Sequence, residues 1–108
     1  MSFDEIARRF AVSPSGTDLF KAFYKDAFEI MKTDVENAGL YFVVGIAAQS
    51  FVRKYEDQGL TADFVDGAKN ILVSMNQKLI LAMASEPATR LRMLGEVAIA
   101  YEWDVSTF

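Results

Sequence analysis

From Asn37 to Val52 the chain reads NAGLYFVVGIAAQSFV, and no charge falls between Glu36 and Arg53. Wound as a helix, this run sets Leu40, Tyr41, Phe42, Val43, Val44, Ile46, Ala47, Ala48, Phe51 and Val52 around its whole circumference. A helix that is apolar all round must be covered on several sides. The cover has to come from the rest of the chain or from a second copy of it. Tyr41-Phe42-Val43-Val44 has the composition of a strand, and a short apolar run is ambiguous by period alone. The length of the run and the capping signal before it favour a helix over about 34–57.

That signal is Thr33-Asp34-Val35-Glu36, which matches a capping box and starts the central helix with almost no loop before it. A second such box, Ser2-Phe3-Asp4-Glu5, opens a short N-terminal helix that buries Phe3, Ile6, Ala7 and Phe10 and ends near Val12. The break at 13–18 follows from Pro14, which disfavours helical geometry at Ser13, and from Gly16. The next helix covers about 17–32. Leu19, Phe20, Phe23, Tyr24, Ala27, Phe28, Ile30 and Met31 form its apolar face.

Downstream of the central run, Asp57-Gln58-Gly59-Leu60 reads as a helix end with Gly59 in the left-handed position, and Thr61 caps the next helix. One tetrapeptide then closes one helix and opens another, which predicts a tight antiparallel hairpin. The fourth main segment, about 62–84, carries Val65, Ala68, Leu72, Met75, Leu79, Ala82 and Met83 at helical spacing, widened by Phe64 and Ile71. Ser85-Glu86-Pro87 breaks it. A last helix over about 88–103 turns Leu91, Leu94, Val97, Ala98 and Tyr101 inward. Asp104 to Phe108 reads as a loose tail, although Trp103, Val105 and Phe108 can tuck down. The expected fold is therefore all-α: one helical domain over 1–108, an up-and-down bundle of four main helices plus the short N-terminal one. Helices of about 24 residues run roughly 36 Å, which favours an elongated bundle that a second subunit can complete.

Glycines inside helices cost about 1 kcal/mol each relative to alanine, so close packing is expected to offset Gly39, Gly45, Gly67 and Gly95. A hairpin folded about Gly59 pairs Phe51 with Gly67 and Gly45 with the region of Val73. Gly67→Leu is then expected to clash with Phe51.

The residues that carry chemistry are scarce. The chain has neither histidine nor cysteine, so Ser-His or Cys-His nucleophiles, thiolate metal sites, haem ligation by His and Glu-x-x-His di-iron sites cannot be written. Acids sit near helix starts (Asp4, Glu5, Asp18, Asp34, Glu36, Asp63) or on polar faces. Glu96 and Glu102, in an otherwise apolar last helix, are the one pair through which a carboxylate-only site is conceivable. The segment Ser13-Pro14-Ser15-Gly16-Thr17 lacks the spacing and the lysine of a phosphate loop. Catalytic residues, a metal site and a cofactor are therefore not expected.

The net charge of −4 and the scatter of the cations, including Arg90 and Arg92, argue against nucleic acid and suit a basic protein partner. The acidic start Met1-Ser2-Phe3-Asp4-Glu5 lacks the pattern of a secretion signal. The apolar run is shorter than the roughly 20 residues of a membrane span, so a soluble cytoplasmic protein is expected. A hydrophobic share of 52% in 108 residues leans apolar for a small soluble domain, which points to a homodimer. Two functions fit. One is a non-enzymatic interaction module, either a homodimer or an inhibitor- or immunity-type binder. The other is a carrier or sensor of a small apolar ligand in an aromatic-lined cavity between helices, since Phe20, Phe23, Tyr24, Phe28, Tyr41, Phe42 and Phe51 exceed what one hairpin contact needs. Tyr24, Tyr41, Tyr55 and Trp103 keep a polar tip and suit a partly wet surface.

Overall fold

A computed structural model describes residues 1–105, and all its regular elements are helical. They are α1 (Phe3–Val12), α2 (Thr17–Ile30), α3 (Ala38–Tyr55), α4 (Ala62–Met83) and α5 (Pro87–Ala100). Two short 3-10 turns, Met31–Thr33 and Val35–Asn37, join α2 to α3, and one π turn, Tyr101–Val105, continues α5. The described residues contain no strand, and Tyr41-Phe42-Val43-Val44 lies inside α3. The molecule measures 42 × 28 × 20 Å, elongated as the helix lengths require.

The two flanking helices form where their caps and periods place them. The Ser2 hydroxyl accepts the Glu5 amide at 3.3 Å and also contacts the Glu5 carboxylate, and Phe3, Ile6, Ala7 and Phe10 are all buried. Thr61 caps α4 through the Phe64 amide at 3.2 Å. Val65, Ala68, Leu72, Met75, Leu79 and Ala82 then face the core, while Met83 is half-buried. The break after α1 is pinned to α4: Lys69 Nζ donates to the Ser13 carbonyl and Ser15 Oγ to Asp66, each at 2.7 Å.

The central helix is wrapped, as its composition demands. Leu40, Tyr41, Val44, Ala47, Ala48, Phe51 and Val52 are buried. Its main partner is α2, and it meets α4 much less, so the expected α3–α4 hairpin is not the organising pair. The reason is Gly45. A Cβ built there would lie 2.4 Å from Phe28 Cε1, so the bare backbone is what lets α2 come close. Rings then join three helices: Phe10 edge-on to Phe20 at 5.2 Å, Phe20 stacked on Phe51 at 4.2 Å, and Phe3 against Tyr41 at 5.4 Å. Phe51 therefore packs on α2 rather than on Gly67. A Cβ at Gly67 would meet nothing within 4 Å, so the clash expected for Gly67→Leu has no basis.

Three further expectations are corrected. The α-helix begins at Ala38, not at 34, because the 33–36 box does not close: Thr33 Oγ1 donates to the Ile30 carbonyl and the Asp34 carboxylate is engaged elsewhere. No described glycine adopts the left-handed conformation, so Gly59 does not end α3 in the way expected. Instead the Glu56 amide bonds the Val52 carbonyl at 2.8 Å, and the Gln58 side chain takes the Lys54 carbonyl at 3.1 Å. Finally, α5 turns only Val97 fully inward. Leu94 and Tyr101 are half-buried, and Leu91 and Ala98 are exposed. The π turn changes the winding after Ala100, so Val105 is buried while Trp103 is 73% exposed. Phe108 lies outside the described residues.

Helical winding extends the apolar run on both sides. The stretch Val35–Tyr55 is long and apolar enough to cross a membrane by length and composition, a test that the core helix of a soluble protein also passes.

Two substitutions probe this packing. Gly45→Ala should lose about 1–3 kcal/mol in urea melts, because the ring of Phe28 must move. In a Phe28→Ala background the same change should gain up to about 1 kcal/mol, since only helix propensity then differs. Asn76, in α4, is 2% exposed, and neither its side-chain oxygen nor its nitrogen has a partner. Asn76→Leu should stabilise the protein by about 1–3 kcal/mol; a lower melting temperature would instead reveal a buried water satisfying the amide.

Candidate functional site

The two acids singled out in the last helix do not converge on a site. Glu96 is exposed and paired with Arg92 at 3.4 Å, and Glu102 is exposed on the π turn. Among the described residues no group of three or more Asp, Glu, His or Cys is placed to hold a metal. The structure draws attention instead to the corner where α2 passes into α3, and to the seam between α3 and α5.

At the corner, the Tyr41 side chain is buried, against the expectation of a wet phenol. A buried phenol needs a partner. Its hydroxyl donates to the Asp34 carboxylate at 2.6 Å, and Asn37 Nδ2 donates to the same oxygen at 2.9 Å. These bonds recruit the Asp34 side chain and explain why it does not cap the helix. The hydrogen bonds from Asn37 and then Tyr41 hold the Asp34 carboxyl below its ordinary value. Burial, followed by the bond to Asp34, pushes the Tyr41 phenol above the usual range.

Beside this corner lies a cleft of about 380 Å³. Gly39 and Leu40 of α3 form one wall, and Pro87, Leu91 and Leu94 of α5 the other. A Cβ at Gly39 would sit 3.7 Å from Leu94 Cδ2, an ordinary van der Waals contact, so this wall does not depend on the glycine. Two charged residues complete the lining, Arg90 and Glu36. The Arg90 side chain is 22% exposed, and one terminal nitrogen donates to the Ser85 carbonyl at 3.2 Å. The other lies 3.6 Å from the Glu36 carboxylate, whose side chain is 85% exposed. Its Nε is buried with no partner, and so is the side-chain oxygen of Asn37. The cleft thus offers a largely buried guanidinium at the head of an aliphatic trough.

Further along the same seam, Phe42, Val43, Ile46, Ala98 and Tyr101 line a smaller hollow of about 150 Å³. A hydrogen bond between Ser50 and Tyr101, 3.3 Å long, crosses the seam beyond it. The alternative of an aromatic-lined cavity between helices has its nearest counterpart in this hollow, through Phe42 and Tyr101. The main cleft has no aromatic lining, because Phe3, Phe10, Phe20, Phe23 and Phe51 are spent on the core. Arg90 escaped the sequence reading among scattered cations. Their spacing carries a signal: Arg90 and Arg92 stand two apart, so a helix points them about 200° apart and the two meet different surroundings.

Tyr41→Phe tests the corner. The loss should be about 1–2 kcal/mol near neutrality. A depressed Asp34 pKa stabilises the fold above the unfolded value of 3.8, and that contribution vanishes as pH falls through the lower folded value. The raised Tyr41 pKa contributes fully below 10.0 and is lost as pH climbs beyond it. Thermal melts of the two proteins should therefore converge in acid well below the ordinary carboxyl value of 3.8 and again in strong alkali. Compared with known proteins, the chain matches no family model, no curated protein and no solved structure.

Proposed function

We propose that the chain is a non-enzymatic interaction module that pairs with a second copy of itself across the outward face of α5. One observation carries this reading. Leu91, Gly95 and Ile99 stand four apart on one row of α5, Leu91 and Ile99 are 71% and 62% exposed, and Trp103 on the following π turn is 73% exposed. A helix that buries only Val97 in its own protein leaves this apolar ridge uncovered.

The ridge suits a helix crossing. Rows spaced four apart interdigitate when two helices pack, and a residue without a side chain at the crossing lets the backbones approach. Gly95 is central in the row, and a Cβ there would meet nothing of its own subunit. Arg92 and Glu96 flank it with opposite charge, so a two-fold axis sets cation against anion rather than like against like. The apolar composition of the chain supports the same reading.

Light scattering across a concentration series should give a dimer mass at high concentration. Ile99→Asp should weaken association by about tenfold or more, given about 1.5–3 kcal/mol for a buried aliphatic side chain, and leave the helical circular dichroism intact. Gly95→Leu should weaken it as well while favouring the helix. A wild-type protein that stays monomeric at millimolar concentration would sink the reading.

A further inference from the structure

We infer that the cleft at Arg90 binds a monocarboxylate with an aliphatic tail, and that Glu36 occupies the guanidinium in place of that carboxylate until the ligand arrives. The inference goes beyond self-association and does not depend on it.

Four observations carry it. First, at about 380 Å³ the cleft lies within the range of small-ligand sites. Second, its walls are aliphatic, from Leu40, Leu91 and Leu94, with one cation at the head. An arginine that is 78% withdrawn from water, as 22% exposure implies, keeps a strong demand for an anion that its present partners meet poorly. Third, the partner now beside it is a surface carboxylate at 3.6 Å, itself 85% exposed, and Nε has no acceptor. Glu36 can swing into water at little loss, because its own side chain is 85% exposed and at 3.6 Å it lies beyond hydrogen-bond length. A ligand carboxylate would take its place in a forked arrangement on the guanidinium. Fourth, the charges nearby select a monoanion. Asp34 also acts on Arg90 through space, but its carboxylate already accepts from Tyr41 and Asn37. One guanidinium beside that fixed acid has no room for a dianion such as a phosphate monoester, whose charge at neutral pH is about −1.5 to −2.

The substitution of Glu36 by ligand is the distinguishing feature. A simple apolar trough would be indifferent to residue 36. A site in which Glu36 competes for the guanidinium must bind better without that carboxylate.

Calorimetric titration of the full chain with hexanoate, octanoate and decanoate, with 1-octanol, octylamine and octyl phosphate as comparisons, tests this. Octanoate should bind more tightly than each comparison, and the carboxylate series should gain about twofold to fourfold in Kd per added methylene until the trough is full. Glu36→Gln should tighten octanoate binding by at least about threefold and leave 1-octanol unchanged, as removal of a competing carboxylate requires. Arg90→Gln should abolish the preference for octanoate over 1-octanol. Should Arg90→Gln fail to fold, the exposed Glu36 position still decides the matter. Equal affinity for octanoate and 1-octanol, tighter binding of octyl phosphate, or Glu36→Gln binding octanoate no better than wild type would each overturn the inference. Because Leu91 belongs both to the lip of the cleft and to the outward ridge, the titration is repeated with Ile99→Asp. Retained octanoate affinity places the site within one subunit, and its loss there would overturn it.

Discussion

The ring of Phe28 lies where a side chain on residue 45 would begin, and the rest of the arrangement depends on that closeness. A glycine inside a helix weakens it by about 1 kcal/mol, and here the return is a close face-to-face contact between α2 and α3. Beside that contact Phe20 stacks on Phe51, and α1 brings Phe10 against Phe20 and Phe3 against Tyr41. Dispersion between close-packed rings is small for each atom pair and large in sum. The central helix is thereby covered by α1, α2 and part of α4 before α5 is placed.

What remains for α5 is an edge. It packs mainly on α4, touches α3 along one seam, and gives only Val97 fully to the core. Two surfaces arise from this light docking. On the inner side the seam opens into a cleft with a guanidinium at its head. On the outer side lies the ridge of Leu91 and Ile99, followed by the exposed Trp103. Both follow from one fact: the apolar residues of α5 are distributed around the helix, while the protein offers it only a narrow contact. The features that invite a ligand or a second subunit are therefore concentrated on the last element and its neighbour, away from the aromatic core.

Much of the local structure was legible because it depends on local physics. The α1 cap at Ser2, the Thr61 cap, the break at Pro14 and the inward face of α4 all rest on residues within a few positions of one another. The departures lie where a hydroxyl or a ring meets another partner. The Thr33–Glu36 box has the right residues, but the Thr33 hydroxyl donates back to the Ile30 carbonyl, and the helix begins at Ala38. The pairing of Phe51 with Gly67 assumed that neighbours in sequence pack as the principal pair; instead Phe51 found Phe20 across α2. Asn76 gives no local sign of being enclosed, since a polar residue on a helix is read as part of its wet side.

By itself the sequence determined that this chain is helical, where most of its helices start and stop, and that its charge-free middle must be wrapped. It also removed histidine and cysteine chemistry outright. These follow from composition, period and caps, which act over one or two turns. Only the tertiary structure decided which helix covers Gly45, which tyrosine loses its water, and which of two neighbouring arginines faces a cleft. Those outcomes depend on how faces far apart in the chain fit together, and shape complementarity between distant segments is not written in the period of either one.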